Sequence, residues 1–154
     1  MSIKLKLDGF DELIKKIEKA GGNVDAIVTD CLKKSADIME AELKSQMQDA
    51  NVDKRLIDNM PPPEIENDYG EITARVGYKK GAYDPNNPSD GYKVVFMNYG
   101  TPHRSKHGQI KDISEGGIIK LGFIGRAKDK ARPKINKQQE NALQESLRGL
   151  QHER

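Results

Sequence analysis

The longest regular pattern in the chain runs from Asn23 to about Ala50 and contains neither Gly nor Pro. Apolar and small residues recur within it every three or four positions, namely Val24, Ile27, Val28, Cys31, Leu32, Ser35, Met39, Leu43 and Met47. This period predicts one amphipathic helix, and at ~1.5 Å per residue that helix is roughly 40 Å long. Because such a helix is longer than the core of a small domain, we expect one end to project or to pack on another subunit.

Shorter apolar patterns come before this helix. Residues 3–7 alternate Ile or Leu with Lys, which predicts a short strand with one solvated face. Residues 10–17 carry Phe, Leu and Ile at helical spacing, and Gly21-Gly22 is expected to end that helix.

After the long helix the period of the pattern changes. Residues 51–63 include Pro61-Pro62-Pro63 and are expected to form a stiff connector. Residues 64–67 and 72–78 alternate and predict two strands joined by a turn. Residues 92–99 are apolar on both faces of a strand, so we predict a third strand in the same sheet as 72–78, either central or covered by a partner.

These elements predict an α+β fold, in which long amphipathic N-terminal helices and a C-terminal helix pack on a small, mostly antiparallel sheet of three to four strands. The C-terminal helix is expected at about 135–150, because Pro133 argues against an unbroken helix from Gly125 onward. With 154 residues the chain is expected to be a single domain. A flexible loop is predicted at 102–117, where no period is visible, and a frayed tail at the C-terminus.

Composition excludes several classes of protein. The longest apolar run has four residues, Val94 to Met97, so no membrane-spanning segment is expected. The first six residues alternate charged and apolar side chains, and they do not resemble a secretory signal. The single Cys31 excludes a disulfide framework within one chain, and its place on the helical apolar stripe predicts a small buried side chain.

No arrangement of residues points to catalysis. His103 and His107 have a metal-ligand spacing on a helix, but Pro102 and Gly108 bracket them, so an exposed loop is the preferred interpretation. Phosphate-binding glycine loops and serine-hydrolase motifs are missing from the sequence. We therefore predict a protein that is not an enzyme and that has no cofactor and no metal site.

The charge is divided between the two parts of the chain. Residues 1–90 carry 13 Lys or Arg and 18 Asp or Glu, whereas residues 91–154 carry 13 and 6. Most of the basic excess lies between Gly100 and Lys137. Opposite charges of this kind favour head-to-tail association of copies, or contact of the basic part with an acidic partner or with phosphate.

Two short segments resemble a known family. Val95-Phe96-Met97-Asn98-Tyr99-Gly100-Thr101 ends in aromatic-Gly-Thr, and Gly122-Phe123-Ile124-Gly125-Arg126-Ala127 places a Phe and an Ala at the start of the last helix. Together with the order of helices and strands, they resemble the phage tail-component family typified by gene product ten of phage HK-ninety-seven. Gly122 stands where that family typically has Pro.

The resemblance implies a virion structural protein of a phage or prophage, which completes the tail or joins head to tail in the neck and is made in the cytoplasm of a bacterial host. It also implies a ring of copies, a hexamer by resemblance, between the connector or head-completion protein and the tail tube protein. The residues that carry the resemblance, and that are expected to be structural, are Tyr99, Gly100, Thr101, Phe123 and Ala127.

The basic stretch leaves two alternatives open. It could pair with the acidic part of the next subunit, which we favour, or it could line a channel and contact duplex DNA without sequence preference. On the first alternative the candidate subunit interface consists of Val95, Met97, Lys128, Lys130 and Lys134. A different function, a small non-specific nucleic-acid-binding protein of a mobile element that uses residues 104–137, remains the alternative to the virion protein.

Overall fold

The computed structural model describes residues 2–79, 89–100, 103–104, 110–111 and 120–153. Along these residues the elements are β1 (Ser2–Leu5), α1 (Asp11–Lys19), α2 (Val24–Asp49), α3 (Lys54–Asp58), β2 (Glu64–Asp68), β3 (Glu71–Gly77), α4 (Asp90–Tyr99), β4 (His103–Arg104), β5 (Ile110–Lys111) and α5 (Phe123–His152).

The main sheet has three antiparallel strands in the order β1-β3-β2. In its register Arg75 of β3 lies opposite Lys4 of β1 and Glu64 of β2. The alternate residues Ile3, Ala74 and Val76 are buried and belong to the main core, which also contains side chains of α2 and α5. The predicted α+β class, with helices packed on a small antiparallel sheet, is confirmed.

The predicted long helix is also confirmed. α2 begins after Asn23, whose side-chain oxygen accepts a hydrogen bond from the Ala26 N–H at 3.2 Å and so satisfies one of the free donors of the first turn. Its buried stripe includes Leu32, Met39 and Leu43. This stripe gives α2 enough apolar surface to contact the sheet and α5 along most of its length.

α5 packs antiparallel against α2, and the contact contains a buried polar cluster. Ser35 Oγ lies 2.8 Å from Gln138 Oε1 and accepts a hydrogen bond from Gln139 Nε2 at 3.1 Å. Ser35 is fully buried and Gln139 nearly so. A one-turn slip of either helix would leave the buried side-chain amide of Gln139 without this acceptor, whereas Ser35 Oγ would keep the Cys31 carbonyl oxygen of its own helix as a partner. The cluster therefore favours the observed register of the pair.

Residues 92–99 do not form the predicted third strand; they belong to helix α4. The buried residues Gly91, Val94 and Asn98 follow helical spacing, and short apolar runs do not distinguish a strand from a helix. Gly91 brings the start of α4 close to the chain that follows β3, since a Cβ there would lie 2.7 Å from the Lys79 carbonyl oxygen. The prediction that 72–78 and 92–99 share a sheet is therefore wrong.

α5 is longer than the predicted C-terminal helix and includes Pro133 in its interior. Pro133 is exposed, and it removes one backbone hydrogen bond from the helix. The helix continues through it because Ala127, Ala131 and Ile135 on either side are buried against the core. The expectation that the helix is interrupted near Pro133 is wrong.

Part of the predicted flexible loop is described. β4 and β5 pair antiparallel, with His103 opposite Lys111 and Arg104 opposite Ile110. The other residues of 102–117 lie outside the described residues, so the flexible loop stays a prediction.

The two-residue turn between β2 and β3 contains an unfavourable backbone conformation. Tyr69 has φ 53° and Gly70 has φ 90°, the pattern of a type I′ turn, which prefers Asn at the first of these positions. We expect Tyr69→Asn to raise the free energy of unfolding by about 1 kcal/mol, as measured by urea denaturation. Tyr69→Ala removes the same exposed side chain without favouring the left-handed conformation and is the control. An equal rise in both variants would contradict the assignment of strain.

Two buried groups predict a loss of stability at alkaline pH. Burial raises the pKa of the Cys31 thiol from 9.0 to about 11, and burial raises the pKa of the Tyr78 phenol from 10.0 to about 12. The unfolded chain therefore releases these protons at lower pH than the folded chain does. The thiol's contribution is complete below about pH 9 and is lost as the pH rises to about 11.

We expect the free energy of unfolding to fall between about pH 8 and about pH 10.5, and to fall less steeply in Cys31→Ala. Urea denaturation at both pH values measures the two slopes. Identical slopes in the wild type and in Cys31→Ala would show that the thiol keeps its ordinary pKa in the folded chain.

Candidate assembly site at the junction of α4 and α5

The end of α4 is joined by hydrogen bonds to the start of α5. The N–H groups of Leu121 and Gly122 donate to the carbonyl oxygens of Met97 and Asn98, each at 3.0 Å. The side-chain oxygen of Asn98, which is 3 % exposed, accepts the N–H of Ile124 at 2.9 Å. Asn98 therefore satisfies a free donor in the first turn of α5, as an N-cap residue does, but from a different helix.

This junction brings together the two segments that carry the family resemblance. Phe123 and Ala127 are fully buried in the main core. Gly100 ends α4 with φ 75° and ψ 166°, a conformation open almost only to glycine. Tyr99 is 59 % exposed, and Thr101 lies outside the described residues.

One side of α4 presents an apolar stripe away from the core. It consists of Tyr92, Val95, Phe96 and Tyr99, spaced at three and four residues. The rings of Tyr92 and Phe96 lie against each other, with centroids 6.2 Å apart. All four residues are half-buried or exposed, so this stripe, which we call the α4 stripe, forms an aromatic surface.

The helix separates two residues that the sequence places on one face. Positions two apart point in nearly opposite directions on a helix, about 200° apart. Val95 accordingly lies on the α4 stripe, whereas Met97 packs against the main core. Of this predicted pair only Val95 belongs to the outward-facing surface.

The three candidate interface lysines do not all lie on one side of α5: Lys130 and Lys134 are one turn apart on the same side, and Lys128 lies on another. Lys134 forms an ion pair with Glu42 of the same chain. Lys128 borders a groove beside β1. Lys130 is exposed and forms no ion pair with any residue that the structure describes. These lysines therefore do not form one continuous patch.

A second surface, the β1 groove, lies between strand β1 and helix α5. The groove has a volume of about 390 Å³. Its polar rim carries four cationic side chains and one carboxylate, namely Lys4, Lys6, Lys128, Arg132 and Asp8. Ile3, Met39 and Ile135, which are buried or nearly so, form its apolar floor.

Among the described residues, no group of three or more His, Cys, Asp or Glu is arranged to hold a metal ion. Cys31 is 1 % exposed, and burial raises its pKa to about 11, so very little reactive thiolate exists near neutral pH.

Glu64 and Glu66 form ion pairs with Lys79 and Arg75, each at 2.8 Å. His103 lies in β4, and His107 lies outside the described residues. No helix in the described ranges is both long and apolar enough to cross a membrane.

Sequence reasoning missed Asn98 and the β1 groove. Asn98 caps a helix that begins 25 residues later, and no local pattern shows such a contact. The groove joins residues near the start of the chain with residues of α5, so only the fold places them together. The α4 stripe has a local signal, since Ser89-Asp90 is a typical helix start before an apolar run.

A scan against protein-family models, a search of curated proteins and a search of solved structures each find no match to this chain.

The junction yields a direct prediction. We expect Asn98→Ala to lower the free energy of unfolding by about 1–3 kcal/mol, because it leaves the buried N–H of Ile124 without an acceptor. Asn98→Asp keeps an acceptor oxygen and places a negative charge at a helix N-terminus, so we expect a smaller loss. Urea denaturation compares the two variants. A loss of equal size in both would contradict the capping role.

Proposed function

We propose that this chain is a structural subunit of a phage or prophage virion, which completes the tail or joins head to tail by assembling with other copies into a ring. The observation that carries the proposal is the junction of α4 and α5. There the two segments of the family resemblance contact each other, because the N–H groups of Ile124 and Gly122 donate to the side-chain and backbone oxygens of Asn98. Segments that are far apart in sequence but meet in the fold support a shared architecture better than two unrelated motif matches do.

The described surface also favours assembly. The α4 stripe carries three of the chain's eight aromatic side chains on one short helix, with Tyr99 exposed and Tyr92 and Phe96 half-buried. Aromatic side chains with this exposure are typical of the buried centre of protein interfaces. The opposite charges of the two parts of the chain would orient one copy relative to the next. In the proposed virion the partners are the connector or head-completion protein and the tail tube protein.

The second candidate function is non-specific binding of nucleic acid. The first half of α5 favours it, because its cationic side chains are all exposed and only Asp129 opposes them there, namely Arg126, Lys128, Lys130, Arg132, Lys134 and Lys137. Such a surface would bind phosphates with an affinity that falls steeply with salt. No described aromatic residue lies among these side chains on α5, so base stacking is not supported.

Native mass spectrometry and negative-stain electron microscopy of the purified chain test the proposal. We expect a closed oligomer of uniform copy number that appears as a ring. Val95→Lys, which places a charge at the centre of the α4 stripe, should reduce the oligomer while leaving the monomer folded. Lys15→Glu, on the exposed surface of α1, is the control for a change of charge elsewhere on the surface. A monomer at all concentrations, together with salt-sensitive binding of duplex DNA, would support the second candidate instead.

A further inference from the structure

Both edge strands of the main sheet have a side that pairs with no described strand. β1 pairs with β3 on one side, and its other side borders the β1 groove. β2 pairs with β3 on one side, and most of its residues are exposed. An edge strand presents unpaired backbone N–H and C=O groups, which can accept another strand.

The β1 groove has the chemistry of a receptor for an extended acidic segment. The backbone of β1 offers hydrogen bonds along one wall, and Ile135 and Met39 offer an apolar floor for alternate side chains. Lys4, Lys128 and Arg132 place positive charge on the rim. A duplex nucleic acid would use the cations but neither the strand edge nor the apolar floor, so the combination favours a polypeptide.

The outer strand β2 has the complementary features. On one face it carries Glu64, Glu66 and Asp68, and Ile65 lies on the other face. β2 has five residues and β1 has four, so the two edges differ in length by only one residue. Glu64 and Glu66 already pair with Lys79 and Arg75, but these ion pairs are partly exposed and such pairs contribute little to stability, so they can be exchanged.

The geometry points to a specific contact between copies: the β1 groove of one subunit receives strand β2 of the next. This inference rests on the proposed assembly and names the surfaces that carry it. β1 and β2 are each antiparallel to β3 and hence parallel to each other. The sheet can therefore continue from copy to copy with β2 parallel to the neighbour's β1.

The charges select this head-to-tail contact over a symmetric one. Pairing of two β1 edges would bring two sets of groove cations together. Pairing of two β2 edges would bring two sets of carboxylates together. Like charges brought together oppose both symmetric contacts. A head-to-tail contact leaves one unused edge at each end, and a rotation between copies closes such a series into a ring.

Charge reversal tests the contact. Lys128→Glu/Arg132→Glu reverses the α5 side of the groove at two exposed helix positions, and Glu66→Lys/Asp68→Lys reverses the strand. At low salt we expect each double variant to raise the concentration needed for half-maximal assembly about tenfold or more, and the variant with all four changes to recover most of the loss. Lys15→Glu/Lys16→Glu makes the same change of charge on the exposed surface of α1 and should assemble as the wild type does.

The outcomes separate this inference from the proposed function. A wild type that forms rings while the groove variant assembles equally well would overturn the strand contact and leave the ring intact. If the double variants assemble less well and the fourfold variant does not recover assembly, the strand contact is also overturned. The same holds if the double variants lose binding of duplex DNA but not assembly. A monomeric wild type would overturn both. Circular dichroism and thermal melting confirm folding of each variant, and Lys128→Gln/Arg132→Gln serves as a milder replacement if the reversed helix is unstable.

Discussion

The antiparallel contact between α2 and α5 supports the rest of the structure. It joins residues more than 100 positions apart through the buried cluster of Ser35, Gln138 and Gln139, and it adds the ion pair of Glu42 with Lys134 and the hydrogen bond of Arg126 to Gln46 at the other end. The chain has only 35 % hydrophobic residues, so a long pair of helices is an efficient way to bury them. The sheet and α4 then pack on this helix pair.

Two surfaces result from the way α4 and the sheet are placed against the helix pair of α2 and α5. The junction at Asn98 holds α4 so that Val94 faces the core and the α4 stripe faces outward. The position of α5 beside β1 creates the β1 groove and gives that end of the sheet a positive charge, while β2 gives the opposite end a negative charge. A subunit with one aromatic surface and two complementary sheet edges has what a directional assembly requires.

Much of the fold could be predicted from the sequence, because α2, β2 and β3 have strong local periods and clear stop signals. The helix at residues 92–99 could not be predicted, because the apolar run from Tyr92 to Tyr99 is compatible with the period of a strand and with that of a helix. The close approach of Gly91 to the Lys79 carbonyl oxygen occurs with the helix and is visible only in the fold. The interruption predicted at Pro133 was wrong because the burial of neighbouring residues outweighs the loss of one backbone hydrogen bond, and that burial depends on the fold. The resemblance implied a structural role for Phe123, but the β1 groove was not predictable, because it depends on how distant segments pack.

The central claim, that copies join head to tail through opposite edges of the sheet, is tested most directly by cross-linking of introduced cysteines. Lys4→Cys and Asp68→Cys chains are mixed and treated with a short thiol cross-linker; the native Cys31 is buried and does not interfere. We expect a cross-linked dimer in the mixture and none with either variant alone, and a ladder of multimers when both changes are in one chain. Dimers formed by Lys4→Cys alone would show a symmetric contact and contradict the account.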